Sequence, residues 1–274
     1  MFKIYDLNMK EIPFQDGVIP LEIFVGSVGK ERVTEAVDGR SGVVDYGFNY
    51  TDRPVSLFLR IKAADAADFR LLRNEVFATF DVGSAFYVAE ADVPSRVLKV
   101  VVDESYIPDR LTEEYADFDI NCRTLDSVFW ESIYTTLELH DSGYSATEEK
   151  YGLVDNIDDE KVKYRFTEGN FTVYNAGNVT VEPESMELAF QINNVSTTGT
   201  LSLKNITTGE EFRLSKNLSE RHISLRGMSV LDGTVNAFRD SNRRFISLVP
   251  GDNHFEITGA TFSEVWFNFK FLYK

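Results

Sequence analysis

The sequence predicts a mainly β protein in two domains, and three observations carry that reading. A single stretch shows a convincing helical pattern. Beyond position 160 the chain is a series of short apolar-polar runs with a turn signal about every ten residues, the pattern of a β-sandwich. Phe (22) and Tyr (12) dominate the aromatic content, and such residues favour a pleated, half-buried surface. A chain of 274 residues can bury a substantial core and supports two domains of roughly 130 residues each. The composition shifts between His140 and Glu160, which places the domains at 1–139 and 140–274.

The N-terminal domain is organised around residues 54–102. Val55 to Ile61 is rich in aliphatic and aromatic residues and predicts a strand. Asp65 reads as an N-cap, with Asp68 adding negative charge in the first turn. Phe69, Leu72, Val76 and Phe80 then follow at spacings of three and four, one apolar stripe on a helix, with Gly83 as the expected C-cap. Phe86 to Ala89 and Arg96 to Val102 predict two strands around Asp92-Val-Pro-Ser95, a long two-stranded excursion. Upstream, Val18 to Val25 and Val43 to Tyr50 read as strands, with Asp38-Gly-Arg-Ser-Gly42 as an exposed turn. Downstream, Tyr115 to Thr124 alternates cleanly and Phe129-Trp130 closes the segment.

In the C-terminal half, Leu201 to Lys204 and Glu211 to Leu214 flank Thr207-Thr-Gly-Glu210 as a hairpin, and Asp232-Gly233 is a strong two-residue turn signal. Val265 to Tyr273 predicts a closing strand too apolar on both faces to lie open to water.

Composition excludes several function classes. A net charge of −16 leaves no basic footprint for a nucleic-acid backbone and disfavours docking on anionic lipid. The N-terminus lacks an apolar core of signal-peptide length, and no long apolar run occurs, so neither standard secretion nor membrane spanning is expected. Cys122 is the only cysteine and sits in an alternating strand, which reads as a small buried residue. His140, His222 and His254 have no metal-ligand spacing, and the acidic run Asp155 to Glu160 lacks the glycine and distal glutamate of a calcium loop. It reads as a solvated linker. Neither a phosphate loop nor a Gly-x-Ser-x-Gly elbow is present, so no cofactor, metal or catalytic residue is predicted. The 44 acidic residues supply many carboxylate pairs and single out none for glycoside hydrolysis. Six Asn-x-Ser/Thr sequons, the first at Asn49, fit strand ends and turns.

Aromatics on a β-sandwich raise carbohydrate binding, by stacking of sugar rings on exposed faces. Tyr144, Tyr151, Tyr164 and Tyr174 are the candidates for exposure, with Tyr164 and Tyr174 the chosen contacts; Trp266 is expected to be buried and Trp130 ends the first domain.

The order of these features resembles the distal tail proteins of long, non-contractile-tailed bacteriophages. The similarity runs through Asp38-Gly-Arg-Ser-Gly42, Arg53 to Ile61, Asp65 to Phe77, Phe86-Tyr-Val88 with Pro94-Ser-Arg96, and Phe118-Asp-Ile-Asn-Cys122. It continues through Phe129-Trp-Glu-Ser132, Phe171 to Asn178, Pro183 and Phe245 to Asn253 before the terminal aromatic strand. The resemblance implies an N-terminal belt domain, a β-sandwich with one helix and an extended β-hairpin, that closes head to tail into a homohexameric ring. It also implies a galectin-like C-terminal β-sandwich, and a virion location at the tail tip after synthesis in the bacterial host cytoplasm. The ring would join the tail tube protein to the tail-tip hub protein and leave a channel for DNA, with no enzyme activity. On this reading the excursion is the ring-forming arm, with Phe86, Tyr87, Val88, Pro94, Val97 and Val100 as interface candidates. The alternative is a carbohydrate-binding adhesion module whose C-terminal sandwich recognises host cell-wall sugars; receptor-binding proteins are the other partners such a domain could carry.

Overall fold

A computed structural model describes residues 1–145, 155 and 157–274. The chain divides into two compact units, Met1–Trp130 with Lys274, and Glu131–Tyr273.

The first unit is a curled antiparallel sheet plugged by a helix. In chain order it holds β1 (Phe2–Tyr5), β2 (Val18–Val25), β3 (Gly29–Ala36), β4 (Val43–Thr51), β5 (Pro54–Lys62), α1 (Ala66–Thr79), β6 (Ala85–Glu90), β7 (Val93–Val102), β8 (Asp109–Arg110) and β9 (Tyr115–Thr124). The main sheet runs β1-β6-β7-β9-β5-β2, and it curls so that the end strands β1 and β2 approach one another. Alternation decides which face is inside. Val55, Leu57, Leu59 and Ile61 on β5 stand opposite Cys122, Ile120, Phe118 and Ala116 on β9, and all eight are buried. The intervening residues face out, where Arg60 grips Asp117 through two hydrogen bonds of 2.6 and 2.7 Å.

The cap of α1 is as the sequence indicates. The Asp65 carboxylate accepts from the amides of Ala67 (2.8 Å) and Asp68 (2.9 Å). Phe69, Leu72 and Val76 are its buried stripe. Its end differs from expectation: the C-cap is Phe80, three residues before Gly83, because Phe80 turns into the core against Phe14 and Phe86. The Tyr106 hydroxyl donates to the Phe80 carbonyl (3.0 Å) and lies 3.2 Å from the Val76 carbonyl, which also accepts the Phe80 amide, and so helps close the helix end.

The β6–β7 excursion is not an arm. β6 is bonded along its other side to β1, and the end of β7 to β9. Phe86, Val88, Val97 and Val100 are no more than 5% exposed, while Tyr87 and Pro94 are half-buried. A hairpin this apolar gains more by closing its own core than by standing in water. The ribbon that does stand free is β3–β4, a two-stranded sheet that pairs with nothing else among the described residues. Its tip is the predicted turn at Asp38–Gly42. Strand β3 carries no sequence signal, since Lys30, Glu31, Arg32 and Glu35 give it no apolar face.

The second unit begins at Glu131, within β10 (Trp130–Ser132), and continues into a second helix, α2 (Thr136–Ser142), that no apolar period in the sequence marks. A capping box starts it: Thr135 Oγ1 accepts from the Glu138 amide, and the Glu138 carboxylate accepts from the Thr135 amide. Because α2 packs against the closing strand, with Thr136 Oγ1 donating to the Phe267 carbonyl, the boundary falls between Trp130 and Glu131, ahead of the 139/140 division that composition suggests.

The strands that follow are β11 (Arg165–Phe166), β12 (Asn170–Asn175), β13 (Leu188–Thr197), β14 (Thr200–Asn205), β15 (Glu211–Ser215), β16 (Leu218–Arg226), β17 (Ser229–Asp232), β18 (Val235–Asn236), β19 (Gly251–Thr258), β20 (Glu264–Phe269) and β21 (Leu272–Tyr273). They form a six-stranded sheet, β11-β20-β13-β16-β17-β18, facing a four-stranded one, β12-β19-β14-β15. Rings from both sheets meet between them: Phe267 lies 5.0 Å from Phe255, 5.2 Å from Phe190 and 5.9 Å from Phe171. The predicted hairpins β14–β15 and β17–β18 are both present. The closing strand departs from expectation. It alternates, with Val265, Phe267 and Phe269 inward and Glu264, Trp266 and Asn268 outward.

Candidate functional site

The β3–β4 ribbon leaves six large apolar side chains uncovered. Val33, Val37, Val43, Tyr46, Phe48 and Tyr50 are all at least 40% exposed. They stand on both faces of the ribbon, Phe48 and Val43 on the face of Arg32 and Val33 on the opposite one, and a free ribbon that exposes apolar side chains on both faces is suited to a contact. The ribbon is nevertheless ordered by its own cross-strand groups. Arg32 pairs with Asp45, and the Tyr46 hydroxyl donates to Glu35 at 3.2 Å. Lys30 Nζ sits 4.1 Å over the Phe48 ring, and the Phe48 and Tyr50 rings meet edge-on at 5.3 Å.

Its root is fixed to the core. Tyr50 packs edge-on against buried Phe129 at 4.9 Å. Arg53, only 6% exposed, donates from Nε to the Gly26 carbonyl (2.8 Å) and from Nη1 to the Val128 carbonyl (3.2 Å), and its amide donates to Thr124 Oγ1 (3.0 Å). Burial lowers the Arg53 pKa from its ordinary value, and the two carbonyls compensate the guanidinium for lost water. A second apolar strip lies on the edge strand β2, where Phe24 is 58% exposed and rests against Phe58.

The residues chosen from sequence fall elsewhere. Phe86, Val88, Val97 and Val100 are enclosed by their own unit, as described above. Tyr164 is fully buried, its hydroxyl donating to the Tyr174 carbonyl at 2.8 Å, and burial raises its pKa well above the usual phenol range. It offers no face to a sugar. Tyr174 is half-buried on the outward face of β12, where Lys161 Nζ lies 5.2 Å over its ring and binds Asp252 at 2.9 Å. Tyr144 is half-buried; Tyr151 and the acidic residues Glu148 and Glu149 lie outside the described residues. Trp130 is buried (9% exposed), whereas Trp266 is half-buried and faces outward.

Cys122 lies in the core, where burial pushes its thiol up to about 12, so it is protonated at neutral pH. Among the described residues no group of three or more His, Cys, Asp or Glu side chains is placed to hold a metal ion. No helix among them is long and apolar enough to cross a membrane.

These features meet a known class of domain. Residues 4–122, nearly the whole first unit, match the family model of the phage tail protein RIFT-related domain. The whole chain has the fold of the Dit protein (gp 19.1) of phage SPP1, whose crystal structure is described as a paradigm of the hub adsorption apparatus in phages that infect Gram-positive hosts. The two superpose with a TM-score of 0.66 at 11% identity, over 99% of this chain and 100% of that one. The activated baseplate of phage p2 with strontium contains a chain similar at 10% identity and a TM-score of 0.44, over 98% and 97% of the two chains. No curated protein sequence matches. Both the domain and the fold agree with the motif order that resembles distal tail proteins.

Proposed function

We propose that this protein is a structural hub of a phage tail tip, and that its copies close head to tail into a six-membered ring. The ring joins the tail tube protein to the tail-tip hub protein and leaves a channel through which DNA passes. One observation carries the reading: the β3–β4 ribbon pairs with no other strand among the described residues and exposes apolar side chains on both of its faces. A head-to-tail ring needs two different complementary surfaces on each copy. The ribbon serves as one, and the edge strand β2 with exposed Phe24 serves as the other, since an edge strand has unpaired backbone groups to offer. The net charge of −16 suits a conduit that must let DNA slide past without holding it.

Native mass spectrometry and negative-stain imaging of the full chain, alone and with its tube partner, test this. Six-copy masses and ring-shaped particles are expected. Val43→Glu with Tyr46→Glu, both on the ribbon and both about 60% exposed, should abolish the ring and leave the fold intact. A monomer under every condition, or a ring indifferent to these substitutions, refutes the proposal.

A further inference from the structure

We propose that the groove beside Trp266 on the six-stranded sheet binds a saccharide, seating one hexopyranose ring on the indole. The site comes from strand register. On the outward face, Asn268, Ala189 and Arg226 lie side by side on β20, β13 and β16. Trp266 is two residues before Asn268 on the same strand, and so on the same face. Ala189 is the smallest of these four, and the missing side chain leaves a slot walled by Trp266, Asn268 and Arg226. The slot opens into a groove of about 430 Å³ that Glu187 also lines.

The bonding pattern separates this groove from the rest of the face. One row away the polar groups satisfy each other: Gln191 donates to Asn193 (2.6 Å), Asn193 donates to Glu264 (3.3 Å), and His222 contacts the same Asn193 oxygen (2.9 Å). In the groove they do not. Among the described residues the Trp266 indole has no ring contact and no hydrogen bond, and the Arg226 and Glu187 side chains have no ion pair. The Asn268 side-chain oxygen accepts from the Leu137 amide at 3.3 Å, which fixes the carboxamide and leaves its NH₂ free.

Ligand chemistry follows from this set. One flat aromatic face above a methyl floor suits the C–H face of a sugar. Around it stand donors on Arg226, Asn268 and the indole, and an acceptor on Glu187, which together suit hydroxyls that both give and take hydrogen bonds. An anion is disfavoured, because Glu187 opposes Arg226 and the nearby Lys270 is already held by Glu131 at 3.1 Å. A wholly apolar ligand would strand these polar groups. The cleft near Tyr174 differs on this point, since Lys161, Asp252, Thr172 and His254 there are bonded to one another.

The full chain is titrated with glucose, galactose, N-acetylglucosamine and their oligosaccharides, following tryptophan emission. Trp130 is buried and Trp266 is the only other tryptophan, so a change reports the groove. A saturable shift is expected, with a Kd on the order of 1 mM for a single ring. Ala189→Leu, which fills the slot, and Arg226→Ala, at an exposed position, should each weaken it about tenfold or more. Thermal melts of both variants accompany the titrations; if Ala189→Leu melts early, Arg226→Ala alone decides. No saturable change with any sugar at about a hundred times that concentration overturns the proposal, and so does affinity unchanged in the variants. Neither result depends on ring formation, which is read separately by mass.

Discussion

Arg53 tests whether the ribbon is held by the core or merely hangs from it. Arg53→Met keeps most of the side-chain volume and removes the guanidinium, leaving the carbonyls of Gly26 and Val128 without their donors. Hydrogen bonds from a charged donor contribute about 1.5–3 kcal/mol each, so two bonds sum to about 3–6 kcal/mol. The substitution also relieves the cost of holding a charge on a residue only 6% exposed, which brings the net loss to about 2–4 kcal/mol. Arg53→Lys should lose nearly as much, because a single ammonium cannot fork to two carbonyls on different segments. Denaturant unfolding of the full chain, with the N-terminal transition followed separately, measures the change. Hydrogen exchange localises it: amides of Gly29–Thr51 should exchange faster, while those in the middle of α1 change only with global stability. A loss below about 0.5 kcal/mol in Arg53→Met would place the root elsewhere and sink the argument.

Two further outcomes follow from local geometry. Gly259 has φ +78°, and a Cβ there would lie 2.0 Å from the Thr200 carbonyl oxygen, whereas Gly39 at the ribbon tip has φ +81° and open space around it. Gly259→Ala should cost more than about 3 kcal/mol and Gly39→Ala only about 1–2 kcal/mol, by thermal or denaturant melts; equal costs would refute the clash as the cause. Cys122, buried with its pKa raised to about 12, should resist alkylation at pH 8 in the native protein and react at once in denaturant. Native-state labelling at the rate of a free thiol, measured by intact mass, would show that β9 opens.

The elements legible in the sequence are those whose signal is local. Asp65 and the stripe Phe69, Leu72 and Val76 define α1 without reference to anything outside it. The turn chemistry at Asp38–Gly42 and Asp232–Gly233 is equally self-contained. The elements without a local signal depend on partners. Strand β3 is polar except for Val33 and Ala36 because its ribbon packs on no core of its own, so no alternation marks it. Helix α2 carries its signal in the capping box Thr135–Glu138, but seven residues give no apolar period to support it. Residues 86–100 fit an interface only while their neighbours are unknown; once β1 and β9 are in place the same apolar character is spent inside the unit. Trp266 is the converse case. An apolar run hid the period-two alternation that turns the indole outward, and only the register with Ala189 reveals the slot beside it.

The two units therefore expose different chemistry for different partners. The ribbon offers valine, tyrosine and phenylalanine on its two faces, with Arg32–Asp45 and Tyr46–Glu35 paired across the strands; in the proposed ring it meets another surface by apolar burial and shape. In that proposed ring the contact is extended and the next copy of the same protein covers it. The groove beside Trp266 offers one aromatic face and several unbonded polar groups in a space of about 430 Å³. Its contact is small and weak, and repetition strengthens it. Six grooves on one ring would convert affinity on the order of 1 mM for a single sugar into firm attachment to a polymer of them, because each bound ring raises the effective concentration of the next. Assembly and adhesion are then coupled by number: substitutions that break the ring should weaken binding to a sugar polymer while leaving affinity for the monosaccharide unchanged.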